Sequence, residues 1–172
     1  MQQGATRKSS TGNKDGRDEV PEHLRQEGFF VEIFAGTARL TMSMSTLGVM
    51  CLPPVELNPQ DWFDKSDAFE AWPKLEAWVE SGAINYAHFG TECKTFSRAR
   101  RHDGKAPPIR HPETLKPLPS CNKEQREKVL LGTRMAEMTF QLCTQLELKN
   151  AAWTVENPAS SMIWNMEEVA LL

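Results

Sequence analysis

Four short segments carry residue types that can do chemistry, and each follows an apolar run. "EIFAGTARLT" places Phe34, Gly36 and Thr37 just past a β-branched and aromatic stretch, and "VMCLPPVEL" leads to Glu56. "FGTECKTFS" presents Cys93, and "VENP" presents Glu156 and Asn157. An ionised thiol is a nucleophile, a carboxylate can hold a ribose diol or move a proton, and a glycine turn lets backbone approach a ligand closely. Taken singly, each has a structural alternative. Gly36 can be a tight turn, Glu56 a solvated acid, Cys93 a small buried hydrophobe, and Glu156 with Asn157-Pro158 ordinary turn chemistry. Lys94, Arg98, Arg100 and Arg101 lie near Cys93 in the chain, and cationic surroundings favour thiolate.

The elements that must position these residues are legible in the apolar pattern. "FFVEIF" is short, β-branched and aromatic, and stops before Gly36, as a buried strand does. "TARLTMSMSTLG" sets Leu40, Met44 and Leu47 on one helical face, with Gly48 as the stop. "VMCLPPVEL" reads as a second strand, placed near a sheet edge by its two prolines. One short helix is expected between Asp61 and Gly82, with Pro73 at its first position. "AINYAHFG" is a third strand; Leu131, Met135, Met138, Leu142 and Leu146 mark a long helix; "AAWTVEN" is a last strand. Pro158 to Leu172 is expected to form a loop and the start of a helix. This alternation predicts an α/β fold with a parallel sheet, in which ligands bind at the carboxyl ends of the strands. All four chemical segments then fall on one rim.

Composition narrows the classes. The chain has 172 residues, 40% hydrophobic and 25% charged, with a net charge of −3. That suits one globular domain and excludes a collagenous or wholly disordered chain. No apolar run approaches the ~18 residues of a membrane span, so a soluble intracellular protein without membrane contact is expected. Residues 1–27 are polar with balanced charge and read as a disordered tail, leaving 28–172 as the folded domain. The four cysteines show no CxxC or Cys/His spacing, so no metal site and no resolving thiol partner is expected. Residues 94–116 hold seven Lys/Arg against two acids. Such a stretch suits phosphate contact by Ser97, Arg98, Arg100 and Arg101, or equally a solvated loop.

In this order the segments resemble the catalytic half of the cytosine-C5 DNA methyltransferase family, over about Phe30 to Asn157. The resemblance implies a Rossmann-like, mostly parallel open sheet with helices on both faces, incomplete at the C-terminus. It implies S-adenosyl-L-methionine as cofactor and DNA as partner. Phe34, Gly36 and Thr37 would form the glycine turn beside the cofactor, and Glu56 would bind its ribose. Cys93 would be the nucleophile that adds to cytosine C6, with Phe96 and Ser97 closing its loop. Glu156, with a raised pKa, and Asn157 would match the Glu-Asn motif acting at N3. The chain departs from the family at Glu92, where proline is usual, at Ala38 for glycine, and at Pro158 for valine. The family's later arginine-bearing motif, target-recognition region and final asparagine-bearing segment have no counterpart here, so a second chain could supply them. The alternative is a non-catalytic module that binds nucleic acid or protein on the same fold.

Overall fold

The computed structural model describes residues 28–56, 68–101 and 107–172. The expected tail at 1–27 and the charged residues 102–106 lie outside them. Among the described residues the core is an all-parallel sheet of three strands in the order β1-β2-β3. These are β1 (Phe29–Ile33), β2 (Ile84–Phe89) and β3 (Ala152–Val155). The second expected strand is reduced to two isolated parallel bridges, Phe30 with Cys51 and Ile33 with Val55, on the other edge of β1. Pro53 and Pro54 have no N–H to continue a ladder, which accounts for the interruption. Leu52 and Val55 still donate to the carbonyls of Phe30 and Glu32, at 2.8 and 2.9 Å.

Helices cover both faces of β1. Helix α1 (Arg39–Thr46) is tied to one face, where Thr41 donates through its N–H (2.6 Å) and hydroxyl (2.5 Å) to the buried carboxylate of Glu32. The opposite face carries Val31, Ile33, Ala87 and Phe89. There it meets α2 (Ala68–Glu80) through Leu75, Trp78 and Val79. The same core takes in α3 (Lys123–Leu148) through Met135, Met138, Leu142 and Leu146. Burying four such side chains contributes roughly 1.5–3 kcal/mol each. That burial outweighs the modest propensity of a polar helix. Asn122 starts α3 with a capping box, accepting from Gln125 N at 2.8 Å while Gln125 Oε1 accepts from Asn122 N at 3.0 Å.

Three local expectations need correction. Leu47 is exposed: α1 ends at Thr46, so Leu47 is its C-cap, and with Gly48 at φ 83° it makes the turn that leaves the helix. Pro73 sits inside α2 rather than at its start; burial of Leu75, Trp78 and Val79 beyond it carries the helix through a missing hydrogen bond. The C-terminal segment forms two 3-10 turns, Met162–Asn165 and Glu167–Leu171. These turns close a second core around Phe96, Ala136 and Phe140 with Met162, Ile163 and Met166. No helix among the described residues is long and apolar enough to cross a membrane.

Candidate functional site

The path of the chain reverses at β1. From β1 it passes through α1 to residues 50–55 on one edge, then returns through α2 to β2 on the other edge. In open parallel sheets such a reversal splays the two crossovers apart and leaves a crevice at the carboxyl ends of the two central strands. Here those ends are Phe34–Gly36 and Gly90–Cys93.

The first wall of the crevice is the glycine turn. Phe34, Gly36 and Ala38 all have positive φ (58°, 54° and 51°), so the chain coils left-handed between β1 and α1. Phe34 is buried and its N–H donates to Val55 O at 2.8 Å. Gly36 and Thr37 are exposed, and space is open where a Gly36 side chain would project. The Gly36 N–H donates to the Glu56 carboxylate, itself exposed at the end of the bridging segment. The predicted cofactor residues Gly36 and Glu56 therefore meet. Ala38 at φ 51° takes a conformation glycine would adopt more cheaply, so the departure at this position carries backbone strain.

The second wall is the loop after β2. Gly90 has to be glycine for space: a Cβ there would lie 2.9 Å from Phe34 O, and its N–H donates to Ile33 O at 2.9 Å. Beyond it the loop is fastened on both sides of Cys93. Asn157 Nδ2 donates to Thr91 O at 2.9 Å, and the Thr91 hydroxyl bonds the buried Thr139 hydroxyl on α3 at 2.9 Å. After Cys93, the Phe96 N–H closes a turn onto Cys93 O at 3.1 Å, and Met162 N donates to Phe96 O at 2.9 Å. Glu156 follows β3, with its N–H on Phe89 O at 2.8 Å and its side chain exposed.

Cys93 is half-buried and carries a free thiol. Burial pushes the thiol up; the negative charges of Glu92 and Glu156 push the same way, while a backbone hydrogen bond and Lys94 oppose them. Cys93 and Glu156 thus lie within electrostatic reach although 63 positions separate them. The expectation that nearby cations make a thiolate is corrected here. Of the cations named for it whose side chains are described, only Lys94 acts on the sulfur. Arg100 instead donates to Lys94 O at 3.0 Å and Pro107 O at 3.4 Å, and Arg98 is exposed. Ser97 Oγ accepts from Ala99 N at 3.2 Å, and the side chain of Arg101 lies outside the described set.

Sequence reasoning missed Arg110. It is 1% exposed, and its guanidinium stacks 3.8 Å from the Phe96 ring centroid. It donates to Thr95 Oγ1 and Val129 O at 2.9 Å, and to Leu115 O and Thr133 Oγ1 at 2.7 Å. Burial lowers this guanidinium to about 10, opposed by the charge of Glu92. Glu92 in turn accepts from Thr95 N at 3.0 Å and Thr95 Oγ1 at 2.9 Å. A signal was present: Gly132 interrupts an otherwise ordinary helix, and interior helix glycines mark close approach. A Cβ on Gly132 would lie 2.5 Å from Thr95 Oγ1 and 3.0 Å from Glu92 Oε2.

Among the described residues no group of three or more His, Cys, Asp or Glu is placed to hold a metal. Comparison with protein-family models, curated proteins and solved structures finds no match.

Proposed function

We propose that this chain is an S-adenosyl-L-methionine-dependent methyltransferase-like domain acting at C5 of cytosine in DNA. The observation that carries the reading is that Cys93 and Glu156 follow adjacent parallel strands, β2 and β3, with the Glu156 N–H on Phe89 O and its charge reaching the Cys93 sulfur. The residue order along the chain and the reversal at β1 support a Rossmann-like arrangement.

The residues of the first wall fit the cofactor chemically. An exposed carboxylate at a strand end suits a ribose diol, and an exposed N–H in a left-handed glycine turn suits an anionic group. Glu56 and Gly36 would hold it, with Phe34 forming the floor; Glu56 would exchange its bond to Gly36 for the hydroxyls. When bound, the cofactor supplies an electrophilic methyl group on a sulfonium.

The chain's own residues handle the base. Burial first, and then the charges of Glu92 and Glu156, hold the proton on the Cys93 sulfur. Transfer of that proton from sulfur to the carboxylate produces the two forms the chemistry needs. The thiolate adds to C6, and the carboxylic acid donates to N3 as negative charge develops on the ring. Asn157 takes no part in this transfer; it fixes the carbonyl of Thr91, two residues before the nucleophile. A base in duplex DNA would have to leave the stack to reach the thiol.

A second reading, a non-catalytic binding module on the same fold, is favoured by the raised Cys93 thiol, which disfavours the nucleophilic form. Calorimetry and thermal melting with S-adenosyl-L-methionine separate the two. A cofactor at ~100 times its dissociation constant stabilises by about 2.7 kcal/mol. Silence in both measurements at millimolar cofactor supports the module. With binding established, Cys93→Ser is expected to abolish methyl transfer and leave cofactor affinity unchanged. Transfer that survives this substitution would remove covalent catalysis.

A further inference from the structure

We propose that Arg110 is the positioning residue of the Cys93 turn, holding the segment from Glu92 to Phe96 against α3 so that the thiol stays half-buried at the rim. The hydrogen bond that the Cys93 thiol makes is a local one to backbone; the place of the turn follows from the residues on either side. On the C-terminal side Arg110 holds Thr95 and Phe96, donating to the hydroxyl of Thr95 and placing its guanidinium carbon over the ring of Phe96. On the N-terminal side Glu92 accepts from the N–H and the hydroxyl of that same Thr95. Thr95 Oγ1 is therefore a bridge between an acid and a base, which closes the turn over the cysteine.

The far end of the guanidinium is anchored. Val129 O and Thr133 Oγ1 belong to α3, and Leu115 O belongs to the neighbouring strand-like pair that includes the Arg110–Pro117 bridge. A planar group with five N–H donors can meet these partners together, whereas an ammonium offers only a point charge. Gly132 provides the room in which the three side chains converge. Glu92, the departure from the family's proline, thereby gains a structural reason: proline restricts the turn covalently, and here a hydrogen-bonded carboxylate does so.

The inference deepens the methyltransferase reading and rests on it only in calling the turn part of an active site. The test needs neither cofactor nor nucleic acid. The full chain is alkylated with iodoacetamide from about pH 7 to about pH 11.5, so that a thiol raised above its ordinary range is carried to its plateau. Adducts at Cys93 and at the half-buried Cys51 are read separately by peptide mass spectrometry. Among the described residues the charged groups acting on the Cys93 sulfur are Glu92, Glu156 and Lys94. Glu92→Gln is expected to move the Cys93 midpoint to lower pH. Arg110→Lys retains the charge but loses the donor geometry; it is expected to raise the high-pH plateau rate of Cys93 at least about threefold by opening the turn, with Cys51 unchanged. If Arg110→Lys does not fold, Thr95→Val, which removes only the bridging hydroxyl, is expected to raise the same plateau. A folded Arg110→Lys or Thr95→Val chain whose Cys93 profile superimposes on that of the parent overturns the inference. So does an equal rise at both thiols, which marks general loosening. Absence of S-adenosyl-L-methionine binding would overturn the methyltransferase reading alone.

Discussion

Replacing Gly132 by alanine puts a single methyl group into the space where Thr95, Glu92 and Arg110 converge. Two effects oppose each other. Alanine in a helix interior is favoured over glycine by about 1 kcal/mol. Against that, the new Cβ would sit 2.5 Å from Thr95 Oγ1, where ordinary contact begins at 3.4 Å, so the hydroxyl must retreat by nearly an ångström. Its two hydrogen bonds, both 2.9 Å and both to charged groups, then break or stretch. Bonds of that kind contribute about 1.5–3 kcal/mol each. Partial loss of both, less the propensity gain, gives a net destabilisation of about 2 kcal/mol. In a chain of this length that lowers the melting temperature by roughly 4–8 °C. Thermal melting by circular dichroism reads it, with urea unfolding at unchanged slope as the check on two-state behaviour. The background matters as much as the single change. In a Thr95→Ala chain the clashing oxygen is gone, so Gly132→Ala is expected to cost at least about 1 kcal/mol less than in the parent. A Gly132→Ala protein that melts higher than its parent, or an identical cost in both backgrounds, would refute the assignment of this glycine to close approach.

Other perturbations test other parts of the molecule. Glu56→Ala is expected to weaken S-adenosyl-L-methionine binding by about 1–3 kcal/mol, read by calorimetry; an unaltered affinity removes Glu56 from the site. Cys143 is fully buried and its thiol is pushed up to about 12, chiefly by burial with Glu147 adding. The folded state therefore keeps a proton that the unfolded chain releases, so this contribution is intact below the free-thiol pKa and declines as pH rises towards 12. Cys143→Ala is expected to flatten the alkaline limb of a stability–pH curve, and an unchanged limb contradicts it. Pro73→Ala restores a helix hydrogen bond at an exposed position and is expected to raise stability by about 1–3 kcal/mol in a urea melt; a loss would show that the proline shape is needed.

The strands and the long helix were legible because each repeats an apolar signal with its own period. Leu131, Met135, Met138, Leu142 and Leu146 defined the inner face of α3, and "FFVEIF" and "AINYAHF" marked the two central strands. The chemical residues were legible as motifs at strand ends, and a parallel sheet brings strand ends together whatever the intervening chain does. Arg110 was not legible, since an arginine among charged neighbours reads as solvated until its carbonyl and hydroxyl partners are known. The direction in which the Cys93 thiol shifts was hidden for the same reason: the chain neighbour Arg100 proved to be bonded to Lys94 O, while distant Glu156 acts on the sulfur. Leu47 and Pro73 were misplaced because helix ends depend on what the tertiary core rewards.

The parallel pairing has a kinetic corollary. Phe29 must find Ile84, and Tyr86 must find Ala152, before either strand pair gains a ladder bond. Closing such long loops forfeits chain entropy well ahead of any return, so sheet assembly is intrinsically slow. The 26-residue helix between β2 and β3 can form on its own local bonds and shorten the second search. Refolding of this protein should consequently respond more to the Asn122–Gln125 box that starts that helix than to any residue on the rim.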